Sequence, residues 1–239
     1  MTTKKVSIII PTIGTNDCIK AITSVLSQTY KNIEIQLFVD GYDNWKVQWA
    51  EDLLLNNKPN IKFNFINTPT GKNKFYGHRI YAACAHLIDS DYIAFLDEDN
   101  WYEPNHIQSL VDLIETDDSL HFVYSRRNIV NKDGKFICKD QCESLGWKTP
   151  IYGNWINGHL VDTSSYLFKR KTLIETGHVW HNNWGADRTY FKTVQDAGFK
   201  SDGTDLYTLN YRLCNSETSP KPEFFLEGNK VMKMKGLVK

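Results

Sequence analysis

The 239 residues carry 28 Lys plus Arg against 28 Asp plus Glu, so no net field draws the chain to nucleic acid, and nucleic-acid binding is not expected. The length suits one substantial α/β domain, and no run approaches the ~20 apolar residues that cross a bilayer. The sequence enters a strand-like segment from Met1 without a signal-peptide pattern, and the scattered Cys18, Cys84, Cys138, Cys142 and Cys214 read as reduced thiols of a cytoplasmic protein.

In chain order, residues 6–10 (Val-Ser-Ile-Ile-Ile) form a continuous apolar run closed by Pro11, which suits a buried parallel strand. After Gly14, Asn16 or Asp17 can cap a helix with Ile19, Ile22, Val25 and Leu26 at helical spacing. Residues 33–39 predict a second strand ending in Asp40-Gly41, and a helix over 45–55, a strand over 61–66, a helix over 76–88 and a strand over 92–96 continue the alternation. Repeated β-α units imply a mostly parallel sheet flanked by helices, which binds ligands beyond the carboxyl ends of its strands. The polar residues to inspect are therefore Thr12, Asp40, 68–71 and 97–100.

A helix over 107–114, a strand over 121–130 and a hairpin turn at 131–134 follow. Residues 141–158 show no clear period and suit a substrate-facing loop. A strand over 160–168, a helix over 187–197 and a last strand over 206–213 complete the pattern.

Asp97-Glu98-Asp99 directly follows the strand over 92–96, which crowds three carboxylates at a strand end. Like charges a few ångströms apart raise one another's pKa, whereas Mg²⁺ or Mn²⁺ takes hard oxygen ligands, one or two carboxylates plus substrate phosphates. The triplet suits a metal diphosphate; taken alone, it reads equally well as a solvated turn.

Four motifs occur in order: Ser7-Ile-Ile-Ile-Pro-Thr12, Val25-Leu-Ser-Gln-Thr-Tyr30, Val39-Asp-Gly41 and Ala94-Phe-Leu-Asp-Glu-Asp-Asn100. In these the chain resembles the family-2 glycosyltransferases of GT-A fold, over about residues 4–216. The resemblance implies an α/β, Rossmann-like sheet with a smaller antiparallel, acceptor-side part in the C-terminal half. It also implies a single domain, with a nucleotide-sugar half to about residue 100, an acceptor and catalytic half to about 216, and a tail over 217–239. By the same resemblance, Pro11 and Thr12 line the nucleobase pocket, Asp40 accepts a base N–H, Asp97 and Glu98 face the ribose and phosphates, and Asp99 binds Mn²⁺ or Mg²⁺. Arg79 matches the basic residue that contacts the donor, with Lys72 and Lys74 as competitors.

The implied reaction is inverting transfer of a hexosyl or N-acetylhexosaminyl group from a nucleotide diphosphate sugar, a UDP-sugar foremost, in polysaccharide biosynthesis. The acceptor would be a hydroxyl of a glycan or lipid-linked saccharide. Such a transfer needs a base, and Trp184-Gly-Ala-Asp187 occupies the family's place for it, which makes Asp187 the candidate; Asp187 also reads as a first-turn helix acid. Cys214 stands where many members carry a histidine, and a nucleotide-sugar binding protein with impaired catalysis is the alternative this raises. Trp147, Tyr152, Trp155, Trp180 and Trp184 could form an acceptor surface or pack in the core. The tail mixes Lys230, Lys233, Lys235 and Lys239 with apolar residues, which suggests a frayed terminus or peripheral contact with the inner face of a membrane.

Overall fold

The computed structural model describes residues 3–41, 49, 60–146, 159–214 and 219–238. The helix expected over 45–55 lies outside the described residues except for residue 49, which is helical. The first half alternates strand and helix: β1 (Val6–Thr12), α1 (Asp17–Leu26), β2 (Ile33–Asp40), β3 (Ile61–Ile66), α2 (His78–Leu87) and β4 (Tyr92–Phe95). Next come β5 (Trp101–Tyr102), α3 (His106–Ile114), β6 (Phe122–Val130), β7 (Phe136–Lys139), β8 (Tyr166–Lys169), α4 (Arg170–Thr176), α5 (Ala186–Asp196), β9 (Ser201–Arg212) and α6 (Pro222–Met234).

Among the described residues, nine strands join one sheet in the order β3-β2-β1-β4-β8-β6-β9-β5, with β7 paired to β6. The four strands β3, β2, β1 and β4 are parallel. The second half is mixed: β8 runs antiparallel to β4 and β6, whereas β9 runs parallel to β6. β1 continues through Pro11 to Thr12, beyond the expected end. Its pairing with β4 stops at Ile9 while its pairing with β2 runs on to Thr12, so the missing proline N–H falls where the ladder is already one-sided.

The apolar run of β1 is buried on both faces. Val6, Ile8 and Ile10 meet α1 and α3, while Ile9 joins Ile93 and Phe95 against α2, α4 and α5. The second face is aromatic: Tyr81 stacks on Phe95 at 4.2 Å and Trp180 on Tyr190 at 4.6 Å, contacts worth about 0.5–1.5 kcal/mol each beyond area burial. Trp180 is therefore core rather than acceptor surface. A third cluster joins Ile129, Cys142, Leu145 and Leu213 to Phe225 and Met232 of α6. The tail is thus a docked helix, tied also by the Asn229 side chain to the backbone of Lys139 and Gln141. Among the described residues no helix is long and apolar enough to cross a membrane.

Two expected boundaries move for local reasons. The strand expected over 160–168 is interrupted, because the Asp162 carboxylate accepts the Ser164 N–H at 2.9 Å and turns residues 163–165 into a 3₁₀ helix before β8 begins. The helix expected from 76 starts at His78, since Asn73, Lys74 and Tyr76 hold left-handed backbone angles that no α-helix accommodates.

Tyr124 packs against two glycines. A Cβ at Gly203 would lie 2.8 Å from the Tyr124 ring, and one at Gly146, itself at φ +60°, would overlap the Tyr124 hydroxyl, whereas Gly185 at φ +89° faces open space. In urea unfolding Gly203→Ala is expected to cost about 1–3 kcal/mol from overpacking, Gly185→Ala the left-handed backbone strain of roughly 1–2 kcal/mol, and Gly146→Ala both together. A Gly185→Ala loss as large as that at Gly146 would contradict the Tyr124 contact.

Candidate active site

The strand order reverses between β1 and β4, and the crevice beyond the carboxyl ends at such a switch point is where open α/β sheets bind ligands. Here it is a cleft of about 1410 Å³. Pro11 and Thr12 enter it from β1, Asp40 from β2, Asp97, Glu98 and Asp99 from the loop after β4, and Asp187 from the first turn of α5. Arg79 is not among the residues that line it: its guanidinium donates to the Thr70 carbonyl at 2.9 Å and lies 3.7 Å over the Phe75 ring. The same loop turns Lys72 and Lys74 into the cleft. Asp40 fastens the loop as well, accepting the Thr70 and Gly71 N–H groups at 2.7 and 2.9 Å.

The acidic triplet is built rather than merely exposed. Asp97 accepts from the Tyr81 hydroxyl at 2.8 Å and from the Ser164 hydroxyl at 3.2 Å. The Ser164 oxygen also accepts the Asp97 N–H and the Asn100 amide, so one hydroxyl holds both ends of the turn. Glu98 accepts from Thr12 at 2.5 Å and Thr15 at 2.9 Å. Among the described residues no side chain donates a hydrogen bond to Asp99. Burial pushes Asp97 up to about 7, helped by the charges of Asp99 and Asp162. Burial likewise pushes Asp99 up to about 6, opposed by Arg212 and reinforced by Glu98.

This donor set fits a hard divalent cation with few protein ligands. Asp99 offers a carboxylate whose charge is uncompensated enough to hold a proton near neutrality, a situation a cation would relieve. The described residues contain no group of three or more His, Cys, Asp or Glu that could hold a metal ion; a Mg²⁺ held by one or two carboxylates would take its other ligands from water and phosphate oxygens. Cys214 lines the cleft as an exposed thiol, a poor ligand for such an ion.

The opposite wall was not legible from motifs. The buried Arg127 of β6 donates to Asp140 at 2.8 Å, to Asp162 at 2.5 Å and to Glu143, and its guanidinium lies 4.2 Å from the centre of the Tyr211 ring. The other Glu143 oxygen accepts from Arg188 at 2.6 Å, the residue after Asp187. Arg212 closes the remaining side in a bidentate pair with Asp17. An arginine among the buried residues of β6 was the available signal, since a charge at such a position demands partners. His78 also lines the cleft; its Nδ1 donates to the Asn182 carbonyl at 2.9 Å, and burial lowers its pKa, so the ring is neutral near pH 7. Of the proposed acceptor aromatics, Trp184 lines the cleft, while Trp147, Tyr152 and Trp155 lie outside the described residues.

A parallel half-sheet with bound acids at its switch point, joined to a mixed half-sheet that brings a carboxylate to the same cleft, is the GT-A arrangement. The model of the family described as Glycosyl transferase family 2 matches residues 7–194. The chain belongs to that family. It is 28% identical over 141 residues to an uncharacterized glycosyltransferase of Rickettsia bellii, covering 55% of this chain and 18% of that protein. It is also 28% identical over 148 residues to the chondroitin synthase of Escherichia coli, covering 62% and 20%. The matches thus span about a fifth of the length of these relatives. The fold is similar to that of S. aureus TarS residues 1–349, solved with UDP, with a TM-score of 0.63 at 13% identity over 97% of this chain and 65% of that one.

The raised carboxyls give stability a pH dependence of defined sign. Asp97 and Asp99 bind protons more tightly folded than unfolded, so their contribution favours the native state as pH falls from about 7 toward 5 and is lost as pH rises through their folded values. Thermal unfolding without metal is expected to show Asp99→Asn flattening the pH 5–8 dependence, and Mn²⁺ raising the melting temperature more at pH 8 than at pH 5. A Mn²⁺ effect independent of pH would contradict the assignment.

Proposed function

We propose that this chain transfers a sugar from a nucleotide diphosphate sugar, a UDP-sugar, to a hydroxyl of a glycan or lipid-linked saccharide, with inversion at the anomeric carbon. The observation that carries the reading is that Asp99, from the loop after β4, and Asp187, from the first turn of α5, line one cleft: an acid suited to a cation on the strand-end side, and an acid suited to a proton on the helix side. The UDP in the TarS structure, a protein of similar fold, supports the choice of donor.

In this reading Pro11, Thr12 and Asp40 border the nucleoside, with Asp40 also securing the loop that turns Lys72 and Lys74 toward the phosphates. Mg²⁺ or Mn²⁺ held by Asp99 would supply Lewis-acid stabilisation of the leaving diphosphate. Asp187 takes the acceptor proton as the hydroxyl attacks from the face opposite the leaving group. Its place at the amino end of α5 keeps the carboxylate near the positive end of the helix dipole, and Gly185 in the left-handed region makes the turn into that helix. Trp184, exposed beside it, offers a ring on which a sugar can stack.

Asp187→Asn is expected to lower kcat by about 10²–10⁴ while leaving UDP binding unchanged in a thermal-shift titration. Asp99→Asn is expected to abolish the Mn²⁺-dependent part of the UDP-induced stabilisation, which follows from ligand linkage to the folded state. Metal-dependent UDP binding without turnover over a broad panel of donors and acceptors would instead support a binding protein with impaired catalysis, the reading that Cys214 raises.

A further inference from the structure

Arg188 directly follows Asp187 in the first turn of α5. Neighbouring helical side chains diverge by about 100°, yet an arginine arm is long enough to fold back on a carboxylate one residue away. In this structure it does not do so. Its Nη2 donates to the Glu143 Oε1 at 2.6 Å, and its guanidinium lies 5.6 Å from the centre of the Trp184 ring. Glu143 is itself fixed: its second oxygen is held by Arg127, which Asp140 and Asp162 grip in turn. We infer that Glu143 is a positioning residue that holds the Arg188 guanidinium off Asp187, keeping that carboxylate available to accept a proton from the sugar acceptor. The inference rests on the assignment of Asp187 as base.

The surroundings favour this role. Among the described residues, the charged and titratable groups near Asp187 include His78 from α2, Tyr166 from β8, Asp162, Glu143 and Arg188. His78 is neutral, so Arg188 is the one cation among these groups. An arginine paired directly with an aspartate lowers its pKa by about 1–3 units, and a base so weakened removes a proton less well. Glu143 has the geometry to prevent this, because Arg127 anchors one of its oxygens while Arg188 takes the other.

The test is the pH dependence of transfer by the full chain with a UDP-sugar and an acceptor. Glu143→Gln is expected to move the acid limb of the kcat profile down by about 1 unit or more and to lower kcat roughly tenfold near neutrality, with the donor KM unchanged. In Glu143→Gln/Arg188→Gln, which lacks the guanidinium, the limb returns to its wild-type position. Glu143→Asp keeps the charge beside Arg127 but shortens the arm, so it releases Arg188 even if the Gln variant does not fold, and it shifts the limb in the same direction. An unmoved limb in the folded single variants, or a limb as displaced in the double variant as in Glu143→Gln, overturns the inference. Full transfer by Asp187→Asn would instead remove the base assignment itself.

Discussion

The Arg127 guanidinium is the interaction on which the second half of the fold depends. A buried cation is costly to desolvate, and it is tolerated here because three carboxylates surround it, two from the turn after β7 and one from the turn before β8, with Tyr211 and Phe225 rings alongside. Breaking such a pair strands the remaining charges, at a cost of about 3–5 kcal/mol. The burden is shared in a directed way. Asp140 also accepts three backbone N–H groups, from Cys142, Glu143 and Ser144, and so folds the segment that carries Glu143. Asp162 caps the turn that carries Ser164. One cation thereby bears on the position of the acidic triplet through Ser164 and of the α5 terminus through Glu143 and Arg188.

The two ends of the cleft use opposite electrostatic strategies. On the strand side, Asp97 and Asp99 are crowded into a buried turn and left short of positive charge, which favours a cation from outside. On the helix side, guanidiniums are supplied by the chain itself, and each is committed to a structural carboxylate. Arg212 follows the same rule with Asp17, the first residue of α1, whose N-cap residue Asn16 makes no side-chain cap bond. Among the described residues, Lys72, Lys74 and Lys221 are the exposed lysines that line the cleft.

The first half of the fold was legible because buried parallel strands write themselves as continuous apolar runs, and each β-α unit is local in sequence. The triplet was legible from its place after such a run. Its hydrogen-bond partners were not, because Ser164 lies 67 residues beyond Asp97, and the Arg127 partners lie 13, 16 and 35 residues away; no periodicity encodes such distances. The same limit explains the interrupted strand before β8, where a single Asp162 side chain turned an apolar run into a 3₁₀ helix. Arg79 was placed by motif spacing alone, and the left-handed residues 73, 74 and 76 redirected the loop around it. Trp180 fell in the core because an aromatic cluster on the second sheet face needed its bulk, a demand visible only once α2, β8 and α5 are brought together.

The cysteines have a use unrelated to any metal. Cys18 and Cys84 are buried, and burial pushes both thiols up to about 12; Cys138 and Cys142 are also raised by burial. Thiolate, the species that alkylating reagents attack, is therefore scarce at four of the five positions. Cys214 alone of the five is exposed, and it sits on the rim of the cleft. The chain thus carries its own attachment point for a fluorophore on the cleft, where occupancy could be followed optically without first removing the other thiols.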